Sequence, residues 1–194
     1  YTTLFRSEIG ILNFLPGGAH NVANDKTKHL VRKWVPRVLR ATAPRNSTNM
    51  DWIVFRVAEL YLNYAEALNE YYETPPKEAF DAVLKVRERS GMPGFPSTLN
   101  KEQFREKLRR ERAVELAYED HRFWDIRRWL IADDEGVMKG AMYGLQLSAV
   151  TGAPGKVHYK PYVFENRLWS DRSYLHPIKQ TEIDKGYMLQ NPGW

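Results

Sequence analysis

Residues 100–129 read NKEQFREKLRRERAVELAYEDHRFWDIRRW, and this stretch decides the fold of the chain. It predicts two consecutive helices whose inner faces mix acidic, basic and aromatic side chains, which a solvated helix would segregate. Carboxylates on an apolar face need partners, because a buried unpaired charge is costly. Spacings of three and four place Glu111 and Glu115 on one face with three large side chains: Phe104, Leu108 and Tyr118.

The charged residues of this stretch allow two interpretations. Glu111 and Glu115 would lie about 6 Å apart on a helix and could act as general acid and base on a glycosidic bond. We favour a structural ion-pair network in which arginines bridge the third and fourth helices, because arginine suits bidentate pairing in dry surroundings. Nearby arginines also lower the pKa of a carboxyl, which argues against a general acid. The expected members are Glu111, Arg112, Glu115, Glu119, Arg122, Asp125 and Arg128.

The same stretch offers two further candidate sites. His121 and Asp125 are one helical turn apart and could hold a metal with Glu119. We favour a histidine that packs beside Phe123 and Trp124, and we predict no metal site. The rings of the stretch could also stack on a sugar, but burial within the helical framework is the expectation. These rings are Tyr118, Phe123, Trp124 and Trp129.

Composition bounds the possible classes of protein. The chain has 194 residues with 43% hydrophobic and 13% aromatic content, which is typical of a folded domain with a real core. It contains no cysteine, so disulfides, thiolate metal sites and a cysteine nucleophile are excluded within it. No apolar run approaches the ~20 residues that span a bilayer. The net charge is +5, but basic and acidic residues interleave, unlike a one-sided nucleic-acid surface.

The first half of the chain predicts a loop-rich segment and then a helical hairpin. Residues 1–50 are irregular, and the chain starts with Tyr1, so we expect a fragment that lacks an upstream region. Asp51 can cap a helix over residues 52–72. Thr74 and Pro75 begin a second helix, which Gly91 ends. Two helices of this length with a tight connection resemble one tetratricopeptide-type unit, and such units need at least three copies for stability.

The second half predicts two more helices and a β-hairpin. Asn100 and Gln103 form a capping-box pattern for a third helix that runs to about Tyr118. Asp120 caps a fourth helix over residues 121–131. Alternating segments then flank a turn at residues 151–155 and predict a hairpin. A short helical turn follows in the segment SYLHPIKQTEIDKGYM, and Trp194 is expected to dock the chain end.

Five motifs in this order resemble the SusD/RagB family. No single motif decides the likeness, but their order does, and they span residues from about 50 to 194. They are RVAELYLNYAEALNE at 56–70, AVLKVRERSGMP at 82–93, ERAVELAYEDHRFWDIRRW at 111–129, YLHPIKQTEI at 174–183 and QNPGW at 190–194.

The resemblance implies a fold, a function and a location. SusD-like proteins are non-catalytic, lipid-anchored outer-membrane proteins that capture oligosaccharides or other nutrients at the cell surface. They form a lid on a SusC-type TonB-dependent transporter. The implied fold is mainly α, with tetratricopeptide-like hairpins, irregular loops and a few short strands. Residues 1–50 would then end a missing upstream region, and residues 51–194 would form a C-terminal helical domain anchored through the missing N-terminus.

The resemblance also implies where to look for a ligand. Ligand-contacting aromatics of SusD-like proteins lie on variable loops, so no residue carries over from the motifs. The loop candidates in this sequence are Phe14, His20, Asn21, Tyr143 and Tyr159, because rings can stack and Asn or His can bond hydroxyls. Partners would be a nutrient ligand, a SusC-like transporter and the rest of the same protein, without cofactor or nucleic acid. A glycoside hydrolase using Glu111 and Glu115, and a helical protein-interaction scaffold, remain the alternatives.

Overall fold

The computed structural model describes residues 6–7, 10–11, 26–27, 33, 53–152 and 157–194. The chain divides into two compact units, one containing Arg32–Trp124 and the other Thr2–Val31 with Asp125–Trp194. The expected boundary at residue 50 falls outside the described ranges, so that division stays a prediction. The expected mainly helical class is confirmed, and the second unit also contains a two-stranded antiparallel hairpin with long strands.

Three helices form the core of the first unit. Helix α1 spans Val57–Tyr71, α2 spans Lys77–Glu88 and α3 spans Lys101–Glu115. Helix α1 packs against both α2 and α3. Two fully buried alanines, Ala65 on α1 and Ala79 on α2, leave room for close helix approach. The core that results contains Leu62, Ala65, Ala79, Ala82, Val83, Val86, Phe104, Leu108 and Leu116.

Helix α1 begins five residues later than the sequence predicts. Residues 53–56 are not helical, and the N-cap position is Arg56, whose backbone is extended with φ −146° and ψ 153°. Asp51, the expected cap, lies outside the described residues. Two reasons account for the late start: Ile53 and Val54 are β-branched and favour extended backbone, and the Arg56 side chain is bonded to the end of α3.

Helix α2 confirms the predicted end and shifts the predicted start. Its N-cap is Pro76 rather than Thr74, and its first residue is Lys77. The end follows the glycine rule, since Gly91 has φ +71° and its N–H donates to the Glu88 carbonyl at 2.9 Å. A left-handed residue there turns the chain away from the helix axis.

Helix α3 begins where predicted and ends early. The Asn100 side chain accepts a hydrogen bond from the Gln103 N–H, and the Gln103 side chain accepts from the Asn100 N–H, which completes the capping box. The helix stops at Glu115, three residues before the predicted end, because a turn follows in which Tyr118 has φ +62°. Asp120 has φ +67°, so it lacks the extended backbone of an N-cap.

The next helix, α4, spans His121–Arg128 and is shorter than the predicted 121–131. The unit boundary falls inside it, after Trp124. The chain leaves the helix through Leu130, whose φ is +53°. A residue with left-handed backbone cannot continue a right-handed helix, so the apolar residues that follow Arg128 lie in a turn rather than in the helix.

The second unit contains two small antiparallel sheets. Strands β1 (Arg6–Ser7) and β2 (Gly10–Ile11) pair with each other. Strands β3 (Gly140–Ala149) and β4 (Val157–Arg167) form the predicted hairpin, with register from Gly140↔Arg167 to Ala149↔Val157. The register shifts between Met142 and Tyr143, which leaves Phe164 as the extra residue of a bulge on β4.

The C-terminal end of the chain docks against preceding residues, as the sequence predicts. A 3₁₀ turn (Asp171–Tyr174), which the sequence did not predict, precedes helix α5 (Gln180–Ile183), the helical turn expected after Pro177. The Trp194 indole N–H donates to the carbonyls of Arg172 at 2.9 Å and Leu175 at 3.0 Å. The Arg172 guanidinium lies 4.6 Å from the centre of the Trp194 ring.

Candidate functional site

Arg56 joins the start of α1 to the end of α3. Its guanidinium donates to the Glu115 carboxylate at 2.6 Å, to the Glu115 backbone carbonyl at 2.6 Å and to the Glu119 carboxylate at 2.6 Å. Both carboxylates are buried, with exposures of 8% for Glu115 and 9% for Glu119. One planar cation therefore satisfies two buried anions at once, which is the geometry arginine is suited to.

Lys33 binds the same helix end from another part of the chain. Its ammonium donates to the backbone carbonyls of Glu115 at 2.7 Å and Ala117 at 3.0 Å, and it forms an ion pair with Glu119. Carbonyls at a helix C-terminus lack intrahelical partners and carry partial negative charge. A lysine at this position therefore satisfies the backbone and the Glu119 carboxylate together. We call Lys33, Arg56, Glu115 and Glu119 the clamp.

Two arginines near the end of α2 complete the pairing of α3. Arg87 forms an ion pair with Glu111, and Arg89 donates to Glu115 at 2.6 Å. Arg112, itself 3% exposed, donates to the Asn63 side chain at 2.5 Å and lies 3.7 Å from Glu66, both on α1. These contacts tie α3 to α1 and α2.

The carboxylates thus have partners that the sequence analysis did not include. Arg112, Arg122 and Arg128 were expected to bridge α3 and α4, whereas Glu111 and Glu115 pair with Arg56, Arg87 and Arg89 from earlier in the chain. Arg128 pairs with Asp125 within α4 at 2.8 Å. Arg122 is exposed and also takes part in an interaction. The bridging of α3 and α4 by Arg112, Arg122 and Arg128 stays a prediction, whereas the partners from earlier in the chain were not expected, because helix packing, which the sequence does not display, sets those pairs.

The clamp is electrostatically unsuited to proton transfer. Burial alone would raise the pKa of the Glu119 carboxyl, but hydrogen bonds from Arg56 and Lys33 outweigh burial and hold that pKa below its ordinary value. Glu111 and Glu115 each accept from arginine and are 8% exposed. A general acid needs a carboxyl that reaches the substrate, and the burial of these side chains limits that access.

The hairpin carries two of the candidate ligand residues. Tyr143 lies on β3 and Tyr159 on β4, in strands rather than in the irregular segment that the sequence suggested. Tyr143 pairs with Val163, and Tyr159 pairs with Leu147. Alternate residues of a strand share a face, so Tyr143 and Leu147 point to the same side, and so do their partners.

Part of this face is apolar and accessible, although Leu147 on the same face is buried. Tyr143 is 64% exposed, Tyr159 is 57% exposed and Val163 is 45% exposed. Four residues of strand separate the two tyrosine positions, which is about 13 Å along the strand direction. We call Tyr143, Tyr159, Pro161 and Val163 the hairpin face. The remaining ligand candidates, Phe14, His20 and Asn21, lie outside the described residues.

Two aromatic residues of the helical stretch are more exposed than expected. Tyr118 is 59% exposed and Trp124 is 58% exposed, whereas burial was the expectation for both. The early end of α3 explains Tyr118, because the residue lies in the turn beyond the helix rather than on its inner face. Trp124 makes an edge contact with Phe123, with ring centres 4.9 Å apart.

The described residues hold no cluster of three or more His, Asp or Glu side chains arranged to bind a metal. His121 instead lies 3.6 Å from the Glu59 carboxylate. Within the same described residues, none of the helices has the length and apolar character to cross a membrane.

Two shallow concavities occur elsewhere. One of about 400 Å³ lies on α3 beside Leu99 and Glu102, and one of about 320 Å³ lies beside Arg172 and Pro192. Neither includes the hairpin face or the clamp.

Comparison with known proteins assigns the chain. A family model described as the SusD family matches residues 13–194. The chain belongs to the SusD family. The five ordered motifs therefore led to the right family, and SusD-family proteins are in general non-catalytic binding proteins.

Two relatives from Formosa agariphila are similar to this SusD-family chain. SusD-like protein P25 is 40% identical over 95 residues, which is 47% of this chain and 18% of that protein. SusD-like protein P2 is 30% identical over 158 residues, which is 77% of this chain and 26% of that protein. The chain thus spans about a quarter or less of the length of these relatives.

Solved structures carry the same fold. A SusD homolog from Bacteroides thetaiotaomicron matches with a TM-score of 0.53 and 30% identity, covering 77% of this chain and 30% of that one. A SusD superfamily protein from Parabacteroides distasonis matches with a TM-score of 0.51 and 23% identity, covering 74% of this chain and 27% of that one. The SusD-like fold expected from the sequence is confirmed.

Proposed function

We propose that this chain is part of a surface protein that captures an oligosaccharide or another nutrient and delivers it to a SusC-like TonB-dependent transporter. Membership of the SusD family over residues 13–194 is the observation that carries the proposal. The protein would act in polysaccharide utilisation, as a lipoprotein on the outer face of the outer membrane. Capture would be reversible and would require no bond-making chemistry.

The clamp and its neighbouring arginines would serve this function as a brace. Buried ion pairs specify how helices dock more than they add stability. The contacts of Glu111, Glu115 and Glu119 fit that role, because each carboxylate holds α3 to a residue from another segment. Paired, buried carboxylates also disfavour glycoside hydrolysis, which needs one accessible protonated carboxyl.

The hairpin face is the described surface best suited to contact a ligand. Aromatic rings bury large apolar areas and leave a polar hydroxyl free for bonding. Tyr143 and Tyr159 present such rings on one side of a two-stranded support whose backbone is fixed by its register. A ligand with repeated units, each with an apolar face, could engage both rings across about 13 Å.

Isothermal titration of the full-length protein against a panel of oligosaccharides and peptides tests the proposal. We expect binding of at least one ligand, weakened about tenfold or more by Tyr143→Ala and by Tyr159→Ala. This corresponds to the loss of about 1.4 kcal/mol or more per ring. Tyr187→Ala is the matched control, because Tyr187 is 64% exposed but lies outside the hairpin face, and it should leave affinity unchanged.

Other outcomes would support a different functional assignment. Failure to bind any glycan or peptide, with capture of the transporter in a pull-down, would replace nutrient binding with a pure interaction role. Turnover of a chromogenic glycoside that is lost in Glu111→Gln would establish a hydrolase instead. If all three tyrosine variants bind the ligand with equal affinity, nutrient capture would still be supported, but the ligand would bind away from the hairpin face.

The proposed location has its own test. Fractionation of cells that express the full-length protein should recover it with the outer membrane, and external protease should degrade it in intact cells. Recovery in the cytosolic fraction would contradict the proposed anchoring and surface exposure.

A further inference from the structure

The hairpin has a second side, opposite the hairpin face. Side chains alternate along a strand, so the residues between those of the hairpin face point the other way. The register sets three of them on β3 across from three on β4, and four of these six residues are exposed. We call this side the basic side. It consists of Gly144, Gln146, Ser148, His158, Lys160 and Tyr162.

The backbone of Lys26 is held against the edge of the basic side. The Leu145 N–H donates a hydrogen bond to the Lys26 carbonyl at 2.9 Å. Gly144 makes room for this contact, because a Cβ at that position would overlap the Lys26 carbonyl oxygen and lie 3.1 Å from the Tyr162 ring. Lys26 is itself exposed. The close approach therefore adds a lysine from a distant part of the chain to the hairpin.

The basic groups of this side follow one another in a row. Tyr162 pairs with Gly144, beside which the Lys26 backbone is held. Lys160 lies two residues from Tyr162, and His158 lies two residues further along β4, so successive positions are about 7 Å apart. Two lysines and a histidine therefore recur over about 13 Å of the hairpin.

The acidic residue of the two strands already has a partner. Glu165 is the one carboxylate within residues 140–149 and 157–167, and it pairs with Arg167 at 3.1 Å. The chain as a whole carries a net charge of +5, which adds long-range attraction for anions. Gln146 and Ser148 supply uncharged donors and acceptors next to the lysines. The basic side therefore suits a ligand that carries both anionic groups and hydroxyls.

We propose that the basic side, with Lys26 at its edge, binds an acidic oligosaccharide whose carboxylate or sulfate groups recur along an extended chain. Each lysine would form a charge-assisted hydrogen bond with one anionic group, and Gln146 and Ser148 would bond the hydroxyls between them. A single-stranded nucleic acid fits less well, because its bases need rings to stack on. The ring of this side, Tyr162, packs over Gly144 instead.

This surface goes beyond the proposed nutrient capture, because it lies opposite the hairpin face and takes a charged ligand. Isothermal titration of the full-length protein tests it with two acidic tetrasaccharides, one of galacturonate and one of a sulfated galactan. Each is compared with its neutral counterpart, the methyl ester or the desulfated form. We expect at least one acidic probe to bind about tenfold or more tighter than its neutral counterpart, and this preference to shrink as salt is added. Equal affinity within both pairs of probes would overturn the proposal.

Substitutions locate the binding of the acidic probe. Lys160→Gln and Lys26→Gln each remove one cation and should weaken that binding about fivefold or more. Lys185→Gln is the matched control, because it removes the same charge from an exposed lysine that pairs with Glu182 outside the hairpin, and it should leave the affinity unchanged. The same loss in all three variants would assign the attraction to net charge and overturn the proposal.

A lipid surface is the other source of recurring anions. Vesicles that contain phosphatidylglycerol provide this arm of the test. Vesicle binding that Lys160→Gln abolishes, without preference for either acidic sugar, would assign the basic side to lipid headgroups and overturn the proposal. The hairpin face is tested separately by Tyr143→Ala with neutral ligands, so failure of the basic side and failure of the proposed capture give different results.

Discussion

Arg56 donates a 2.6 Å hydrogen bond to the Glu115 carboxylate across 59 residues of chain, and the same guanidinium bonds Glu119. We expect Arg56→Ala to lower the free energy of unfolding by about 3 kcal/mol, because it leaves buried carboxylates without their main cation. Urea denaturation followed by tryptophan fluorescence measures the change.

A surface pair provides the control for this prediction. Lys77 and Asp81 form an exposed ion pair at 2.5 Å, so Lys77→Ala should cost far less than Arg56→Ala. Glu115→Ala should also destabilise, since it leaves Arg56 and Arg89 without that acceptor. An unchanged melting temperature in Glu115→Ala would contradict the role assigned to the clamp.

The clamp should also make stability depend on pH. The folded-state pKa of Glu119 lies below its ordinary value of 4.5, so the unfolded chain binds the proton more readily. The stabilising contribution is therefore present above about pH 4.5 and is lost as the pH falls through the folded-state pKa. Denaturation of wild type and Glu119→Gln across this range should show a difference that shrinks at low pH. A difference independent of pH would argue that shape, not charge, matters at this position.

The capping box at the start of α3 should be worth a measurable amount. Asn100→Ala removes the acceptor for the Gln103 N–H at 2.9 Å and should cost about 1 kcal/mol in the free energy of unfolding. Asn100→Ser keeps an oxygen in reach of the same N–H and should restore most of the loss. If thermal or chemical denaturation shows equal destabilisation by both substitutions, the loss does not come from the capping hydrogen bond.

Phe104 is the largest fully buried side chain among the described residues, and its ring meets Phe80 and Phe95 edge-on at 4.9 and 5.6 Å. Phe104→Ala should cost about 3–5 kcal/mol, because it combines lost burial with a residual cavity. Lys107→Ala, on the exposed side of the same helix, should stay within about 0.5 kcal/mol. A small loss in Phe104→Ala would mean that the three rings collapse into the vacated space.

Local signals in the sequence predicted the features that local physics controls. The start of α3 depends on two residues three apart, Asn100 and Gln103, so the sequence contains the whole cause. The end of α2 depends on the freedom of Gly91 to adopt a positive φ. The hairpin followed from alternation and a turn.

Features that depend on contacts between residues far apart in the sequence were not predicted. The start of α1 depends on Arg56, whose extended backbone accompanies bonds to residues 59 and 63 positions later. The end of α3 at Glu115 is likewise bound by Lys33, more than 80 residues upstream. No periodic pattern records such pairs, so Lys33 and Arg56 were not among the expected partners.

The candidate site was predictable only in part. Tyr143 and Tyr159 could be chosen as aromatic residues near a turn, but their shared face depends on the pairing register. A shift of one residue would have put the two rings on opposite sides. The exposure of Tyr118 and Trp124 also required the geometry of the turn between α3 and α4.

The long separations within the clamp bear on the order of folding. Its bonds join residues 59, 63, 82 and 84 apart, so they can form only after large loops have closed, whereas the cap of α3 needs a separation of three. We infer that the clamp closes late, after the transition state, so breaking it should accelerate unfolding and leave the refolding rate nearly unchanged. Stopped-flow kinetics of Arg56→Ala would measure both rates, and slower refolding would contradict late closure. The clamp would then govern how long the folded protein lasts rather than how fast it forms.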